Sequence, residues 1–456
     1  MRRPTKRSLA GGAAGIAAGI LGGIALTPGS AGNLAVPVPE QFIDAAHVPP
    51  ALTLPGEPVT LRYAIVCTPR EDGRPCDGSG DVFVRPGQSG PFQRLALQRG
   101  ADSADGRYLV HVPEEIASNR DGFSYYAVLR DDATGADMTV PTGGSAAPQV
   151  SLPLRKTVDV DLGGHAFGRT RHRDARIVAA TWGSSPGQAG LAGSRELGFT
   201  GPSAIDVEAN GAVTMLDQVN GRLQRWQDGR ISATNAAVSG GLADIAVEQD
   251  GTVDVLEPPN RITPTPMLRK LGRDGSLEWE QRLADRTWSK LETGPEGPVV
   301  LAAPSEEWVP ATANGAPLDR ATQAKRAKPG RRTAAGRDVI VDRIGADELR
   351  LAEAAGRAVV RSWRLTSATP LGEVQLAESV GSRLLVVLKT YTDDRAEYVV
   401  LVLDRAGIVQ QFSVDAAEWA ESAPLARFRL AGGSLYHFGS TPSEAFVDRF
   451  DLEVSP

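Results

Sequence analysis

Gly201-Pro-Ser-Ala-Ile-Asp-Val-Glu-Ala-Asn-Gly-Ala-Val-Thr-Met-Leu-Asp217 decides the fold, because the chain repeats the pattern forty residues later. Gly241-Leu-Ala-Asp-Ile-Ala-Val-Glu-Gln-Asp-Gly-Thr-Val-Asp-Val-Leu-Glu257 aligns with it without a gap. Each copy reads as an apolar strand, an Asn210-Gly211 or Asp250-Gly251 turn, and a second apolar strand. Asn-Gly and Asp-Gly supply the positive φ angles of a two-residue type I′ hairpin. Weaker copies follow at Leu291–Leu301, Asp338–Leu351, Val380–Leu388 and Leu430–His437, and their turn glycines 211, 251, 297, 345, 381 and 433 are spaced by about 44 residues on average. A period of 40 to 45 residues with several strands per unit is the pattern of a β-propeller, since one small sheet cannot bury both faces without neighbours. Six copies predict six blades over residues 176–456. Arg176-Ile-Val-Ala-Ala-Thr-Trp182 is the expected closing strand.

Working outward, the first copy continues through Asp217-Gln-Val-Asn220-Gly-Arg222 to Trp226. Strand, Asn-Gly turn, strand and a D-x-x-N-x-R turn together resemble an NHL repeat. The resemblance covers about 60% of the chain, and only the first copy carries it whole. It implies a structural role for Asp217, Asn220 and Arg222, with the Asp and Asn bonding turn backbone and the Arg packing between blades.

Upstream, short alternating runs at Val59–Ile65, Asp81–Val84, Phe92–Leu97, Arg107–Val112, Phe123–Leu129 and Met138–Val140 are separated by turn signals such as Arg120-Asp121-Gly122. Six or seven strands in about 100 residues predict an immunoglobulin-like or fibronectin-type sandwich over 58–154. A Pro-rich lead (32–57) precedes it, and a basic linker (155–175) follows it. The expected fold class is therefore all-β: an immunoglobulin-like sandwich, then a six-bladed NHL-like propeller.

The first 31 residues read as an export signal. Arg2, Arg3, Lys6 and Arg7 precede an uncharged stretch, Leu9 to Thr27, and the small residues Pro28-Gly-Ser-Ala-Gly32 follow it. Cleavage after Ala31 fits. The rival is an uncleaved anchor, because 18 to 19 apolar residues just reach the roughly 20 that span a bilayer. Either reading places the folded part outside the cytoplasm. There Cys67 and Cys76, the two cysteines of the chain, are expected to pair across a short polar loop.

Composition narrows the function. Gly and Pro make up 82 of 456 residues, which suits short strands and turns, and the net charge is −6. Nucleic acid is excluded as main partner, because duplex binders present a basic face. Gly183-Ser-Ser185-Pro-Gly187 has the letters of a nucleophile elbow, but no helix is expected after it, so Ser185 is read as a loop residue. His165 and His172 are too few for zinc. Some propeller enzymes, such as calcium-dependent lactonases, hold a metal in the channel with Glu, Asn and Asp from different blades, so one carboxylate per blade is the pattern to seek. Here Asp206 and Asp244 fall on expected inner strands, two repeat positions apart, with no matching acid evident in later blades. His437 lies on a blade strand from which it reaches either the channel or the core.

Asp206, Asp244 and His437 are thus the candidate ligand-binding residues, with no catalytic set and no metal ligands assigned. The run Arg320–Arg337 carries seven Lys/Arg and no acid and is expected to be an exposed loop, a docking point for anionic polymer in the functional alternative. Trp279, Trp288 and Trp308 are packing residues or sugar platforms. The expected function is exported, noncatalytic binding of a protein, peptide or glycan through the propeller face, without cofactor. The alternative is an extracytoplasmic hydrolase or lyase using the channel and calcium.

Overall fold

The computed structural model describes residues 43–453 apart from 68–76, 102–106, 197, 237, 239–242, 259–265, 284–287, 303–305, 334 and 421–425. The export segment and Cys76 lie outside these residues. Cys67 ends a strand with its side chain buried.

Two sheets share the amino-terminal core. One runs in the order Ile43–Ala46, Thr60–Cys67, Arg107–His111, Gln98–Arg99; the other runs Leu52–Thr53, Gln149–Pro153, Phe123–Asp131, Gly78–Pro86, Gln93–Ala96, with Asp137–Val140 also on Phe123–Asp131. Period-two alternation in Thr60–Cys67 sends Leu61, Tyr63 and Ile65 inward, where they meet Val82, Val84, Phe123 and Tyr125. His47 stacks on Tyr63 and bonds the Tyr125 hydroxyl at 2.9 Å, and burial pushes its imidazole down to about 4. The segment read as a Pro-rich lead therefore contributes two strands to this unit, because its apolar residues have sheet edges to complete.

Among the described residues six larger sheets follow, numbered here I to VI, with two small two-stranded hairpins at Ala192–Ser194/Gly198–Thr200 and Thr312–Ala313/Ala316–Pro317. Sheet I comprises Ala204–Val207, Val213–Asp217, Arg222–Gln227 and Arg230–Asn235; sheet II comprises Asp244–Val247, Val253–Glu257, Met267–Leu271 and Leu277–Arg282. Sheet III has Trp288–Gly294, Gly297–Ala302 and Glu307–Pro310. Sheet IV has Gly330–Arg332, Asp338–Arg343, Glu348–Ala355 and Ala358–Thr366, with Val158–Asp161 added in parallel at its outer edge. Sheet V is Leu371–Val380, Arg383–Tyr391, Ala396–Asp404 and Gly407–Asp415; sheet VI is Phe428–Ala431, Ser434–Ser440 and Glu444–Asp451, closed by Ala175–Thr181.

The inner strands, such as Val213–Asp217 and Val253–Glu257, are buried on both faces, so each sheet needs a neighbour on either side. Buried clusters join I to II, II to III, IV to V, V to VI and VI back to I. Trp308 and Lys328 exchange backbone hydrogen bonds between III and IV. Leu384, Val386 and Leu401 are fully buried at the IV–V junction, each worth about 1.5–3 kcal/mol of transfer free energy.

The turn at Asn210-Gly211 departs from the type I′ expectation. Only Gly211 has positive φ (82°), and its N–H donates to Glu208 O, so the hairpin is a type I turn closed by a left-handed glycine. Gly251 repeats this geometry at φ 81°.

Two segments differ from the sequence reading. The 155–175 linker is built into the fold: Val158–Asp161 pairs with Ala358–Thr366, and Thr170 bridges Ser413. The basic run 320–337 is no exposed loop. Arg320–Arg326 is a helix capped by Asp319, whose carboxylate accepts the Thr322 N–H, and Gly330–Arg332 joins sheet IV with Arg331 buried. The cations drawn into the fold have acidic partners, so their burial costs little: Lys328 Nζ lies 2.7 Å from Asp338, Arg331 pairs with Glu378 and Arg337 with Glu353. The amino-terminal unit docks on sheet IV through Leu52, Leu152 and Leu154 against Ile340 and Ala352. Asp342 accepts the Leu52 N–H at 2.7 Å.

Candidate functional site

Strand geometry brings charged groups from all six sheets to one place. Side chains alternate across a strand, so positions two apart share a face and are displaced by roughly 7 Å along it. Asp206 and Asp244 occupy repeat positions two apart, and both face the centre. The Arg429 guanidinium from the first strand of sheet VI meets both at once. Its Nε is 3.2 Å from Asp206 Oδ1 and its Nη2 3.4 Å from Asp244 Oδ1, while Nη1 donates to Glu292 Oε1 of sheet III at 2.9 Å. Arg331 of sheet IV pairs with Glu378 of sheet V and sits within electrostatic range of Glu292 and Arg429. Four carboxylates and two guanidiniums thus form one cluster, with all six side chains at most 15% exposed.

The acids also stitch sheets together. Asp206 Oδ2 accepts the Val247 N–H of sheet II at 2.6 Å, and Asp244 Oδ2 accepts the Leu291 N–H of sheet III at 2.8 Å. Burial pushes the Asp244 carboxyl up to about 6 against the pull of Arg429, and it raises Asp206 in the same direction. Burial opposes the charge on Arg429, but Glu292, Asp206 and Asp244 outweigh it and push the guanidinium higher. Burial likewise raises Glu378 against Arg331. A calcium ion does not fit this donor set. Arg429 occupies the point where the three carboxylates converge, and both oxygens of Asp206 and of Asp244 also accept backbone N–H groups.

The sequence reading found two of the six residues. It passed over Glu292, Arg331, Glu378 and Arg429; of these, Arg429 alone stands as a single charge among apolar neighbours, in Phe428-Arg429-Leu430-Ala431. His437 is not with them. It is 2% exposed between sheets V and VI, stacked on Phe428 at 4.6 Å, and burial drives its imidazole down to about 3. His165 bonds Glu397 while His172 is exposed, and Ser185 lies in an exposed loop.

That loop shows what the D-x-x-N-x-R residues do. Arg222 Nε lies 3.0 Å from Asp217, and its Nη atoms donate to Ser184 O, Ser185 O and Gln188 O. Asn220 donates to Gly183 O, and Asp217 accepts the Gly190 N–H. Together they clamp the crossing from sheet VI to sheet I.

A second feature lies on the loops of that crossing. Trp182 follows the closing strand, Phe199 lies in the hairpin Ala192–Thr200, and Trp419 lies between sheets V and VI. Phe199 stacks on Trp419 at 4.6 Å with Trp182 5.8 Å from it, all three half-buried. Glu418 beside them is held by Lys389, Arg427 and Tyr398. Of the tryptophans singled out from sequence, Trp279 packs against the II–III core and Trp308 lies near Arg331; the Trp288 side chain is outside the described residues.

No protein-family model matches the chain, and no curated protein matches it. Solved structures similar to it are β-propeller proteins. The WD40 β-propeller domain of Doa1 is 9% identical, covering 60% of this chain and 98% of its own, with a TM-score of 0.35. Virginiamycin B lyase from Staphylococcus aureus is 11% identical, covering 56% of this chain and 96% of its own, at 0.33. A Bacteroides thetaiotaomicron protein of unknown function is 9% identical, covering 90% of this chain and 98% of its own, at 0.31.

Proposed function

We propose that this chain is an exported, noncatalytic binding or scaffold protein: an immunoglobulin-like sandwich joined to a six-bladed propeller that recognises a protein, peptide or glycan through its loop face. The observation that carries this reading is the closed ionic cluster at the centre. A channel enzyme needs acids free to meet substrate or metal, whereas Asp206, Asp244, Glu292 and Glu378 are held by Arg429 and Arg331. The half-buried rings of Trp182, Phe199 and Trp419 offer the aromatic surface that recognition sites favour.

The test is capture of the purified chain on glycan arrays and displayed peptide libraries, with and without Trp419→Ala. Specific capture lost in the variant supports the reading. Stoichiometric calcium in the purified protein, lost on chelation together with thermal stability, sinks it. Export with cleavage after Ala31 and a Cys67–Cys76 disulfide belong to the same proposal. The intact mass of the exported chain, before and after reduction, tests both.

A further inference from the structure

Residues 162–171 run as a strap from the outer strand of sheet IV to the outer strand of sheet V, and a cavity of about 430 Å³ lies beneath it. The strap is firmly tied. Leu162 N donates to Thr366 O, His165 N to Thr369 Oγ1 and Arg171 N to Ser413 O. Glu397, 6% exposed, receives His165 Nε2 at 2.8 Å and Gly168 N at 2.6 Å, one on each oxygen. The strap is thus held shut by its backbone together with His165, with Ser367, whose hydroxyl donates to Gly163 O, and with Phe412, whose ring Arg171 covers.

Leu162, Leu371 and Val399 line the apolar part of the cavity, and Leu371 and Val399 are almost fully buried. Arg169, Gln411 and Ser413 line it as well, and among the described residues none of these three side chains has a hydrogen-bond or ion-pair partner. A guanidinium, an amide and a hydroxyl therefore border one concavity, and Glu397 beside the strap is already engaged by His165 and Gly168. The volume falls in the range of small-molecule sites, about 300–1,000 Å³, which pair an apolar lining with a few convergent polar groups. A guanidinium fork with two neutral hydrogen-bonding groups suits a carboxylate or phosphate.

We propose that this cavity binds a small molecule with one carboxylate or phosphate end and a compact apolar body. Arg169, Gln411 and Ser413 hold the anion, and Leu162, Leu371 and Val399 receive the apolar part. The site is separate from the loop face, and its test does not depend on that reading. Calorimetry and thermal denaturation of the whole chain with benzoate, phenyl phosphate, benzyl alcohol and benzylamine examine it.

One or both anions bind and raise the melting temperature, and the winner of the two identifies the headgroup; the alcohol and the amine do not bind. Arg169→Gln weakens anion binding by roughly tenfold or more while the unliganded melting temperature stays at the wild-type value, because Arg169 is exposed and unpaired. Gln411→Trp, which fills the mouth, abolishes binding. Benzylamine or benzyl alcohol binding as well as the anions overturns the proposal. So does an unchanged anion affinity in Arg169→Gln, or no shift with any of the four at millimolar concentration.

Discussion

Arg429→Met removes the cation on which three sheets converge, and its cost follows from the geometry. Arg429 is 6% exposed at its side chain and touches Asp206, Asp244 and Glu292. Deleting one partner of a buried pair and stranding the others costs about 3–5 kcal/mol. At about 2.1 cal/mol/K per residue, a folded unit of ~400 residues has an unfolding entropy of roughly 0.8 kcal/mol/K, so the midpoint falls by about 4–6 °C. The loss depends on pH with a definite sign. Burial already raises Asp206 and Asp244 above their ordinary values, and Arg429 opposes that rise. Without it, both carboxyls rise further, and the folded chain holds protons that the unfolded chain releases from about pH 4 upward.

Stability of the variant therefore falls as pH rises through this window, and the deficit against wild type shrinks from pH 8 to pH 5. Adding Asp244→Asn recovers part of it at pH 8. Thermal denaturation followed by circular dichroism at pH 5, 6.5 and 8 measures all of this. A deficit equal at pH 5 and pH 8, or a midpoint within about 1 °C of wild type at pH 8, refutes the claim that the guanidinium neutralises the centre.

Two further outcomes follow from buried groups elsewhere. Burial and the adjacent Glu248 push Asp254 up to about 8. A raised folded value means stability declines from the ordinary carboxyl range up to pH 8, so Asp254→Asn melts higher than wild type at pH 8.5, by a margin that narrows towards pH 4; equal melting at pH 8.5 contradicts this. Arg222→Ala frees three carbonyls of the 183–190 crossing and strands buried Asp217, so limited proteolysis cuts there faster and stability drops by about 3–5 kcal/mol. Arg222→Lys does not rescue, because one ammonium cannot reproduce the planar fork. Unchanged cleavage in Arg222→Ala counts against the clamp.

The hairpin period was legible because its signals are local. Asn210-Gly211 and Asp250-Gly251 set their turns within four residues, and apolar alternation sets which faces need cover, whatever the rest of the chain does. Five of the six marker glycines lie between successive strands of their sheets, and Gly297 opens the second strand of sheet III. The exact turn type was less legible, since whether Asn210 takes positive φ depends on strand register across the hairpin.

The central cluster is of another kind. Arg429 is 223 residues from Asp206 along the chain, and nothing near Phe428-Arg429-Leu430 announces a carboxylate partner. A buried charge is tolerable only beside its counter-charge, and that proximity exists only once sheet VI meets sheet I. The same holds for Arg331, whose basic neighbours suggested a solvated loop until Glu378 gave it a partner, and for His437, which alternation alone left free to face either way. By itself the sequence determined that this chain folds as repeated short β-hairpins with acids on their first strands. Whether those acids are open to a ligand or locked to arginine was decided by the tertiary structure, because the energy of a charge depends on what lies within a few ångströms of it, and that distance is set by closure of the sheets.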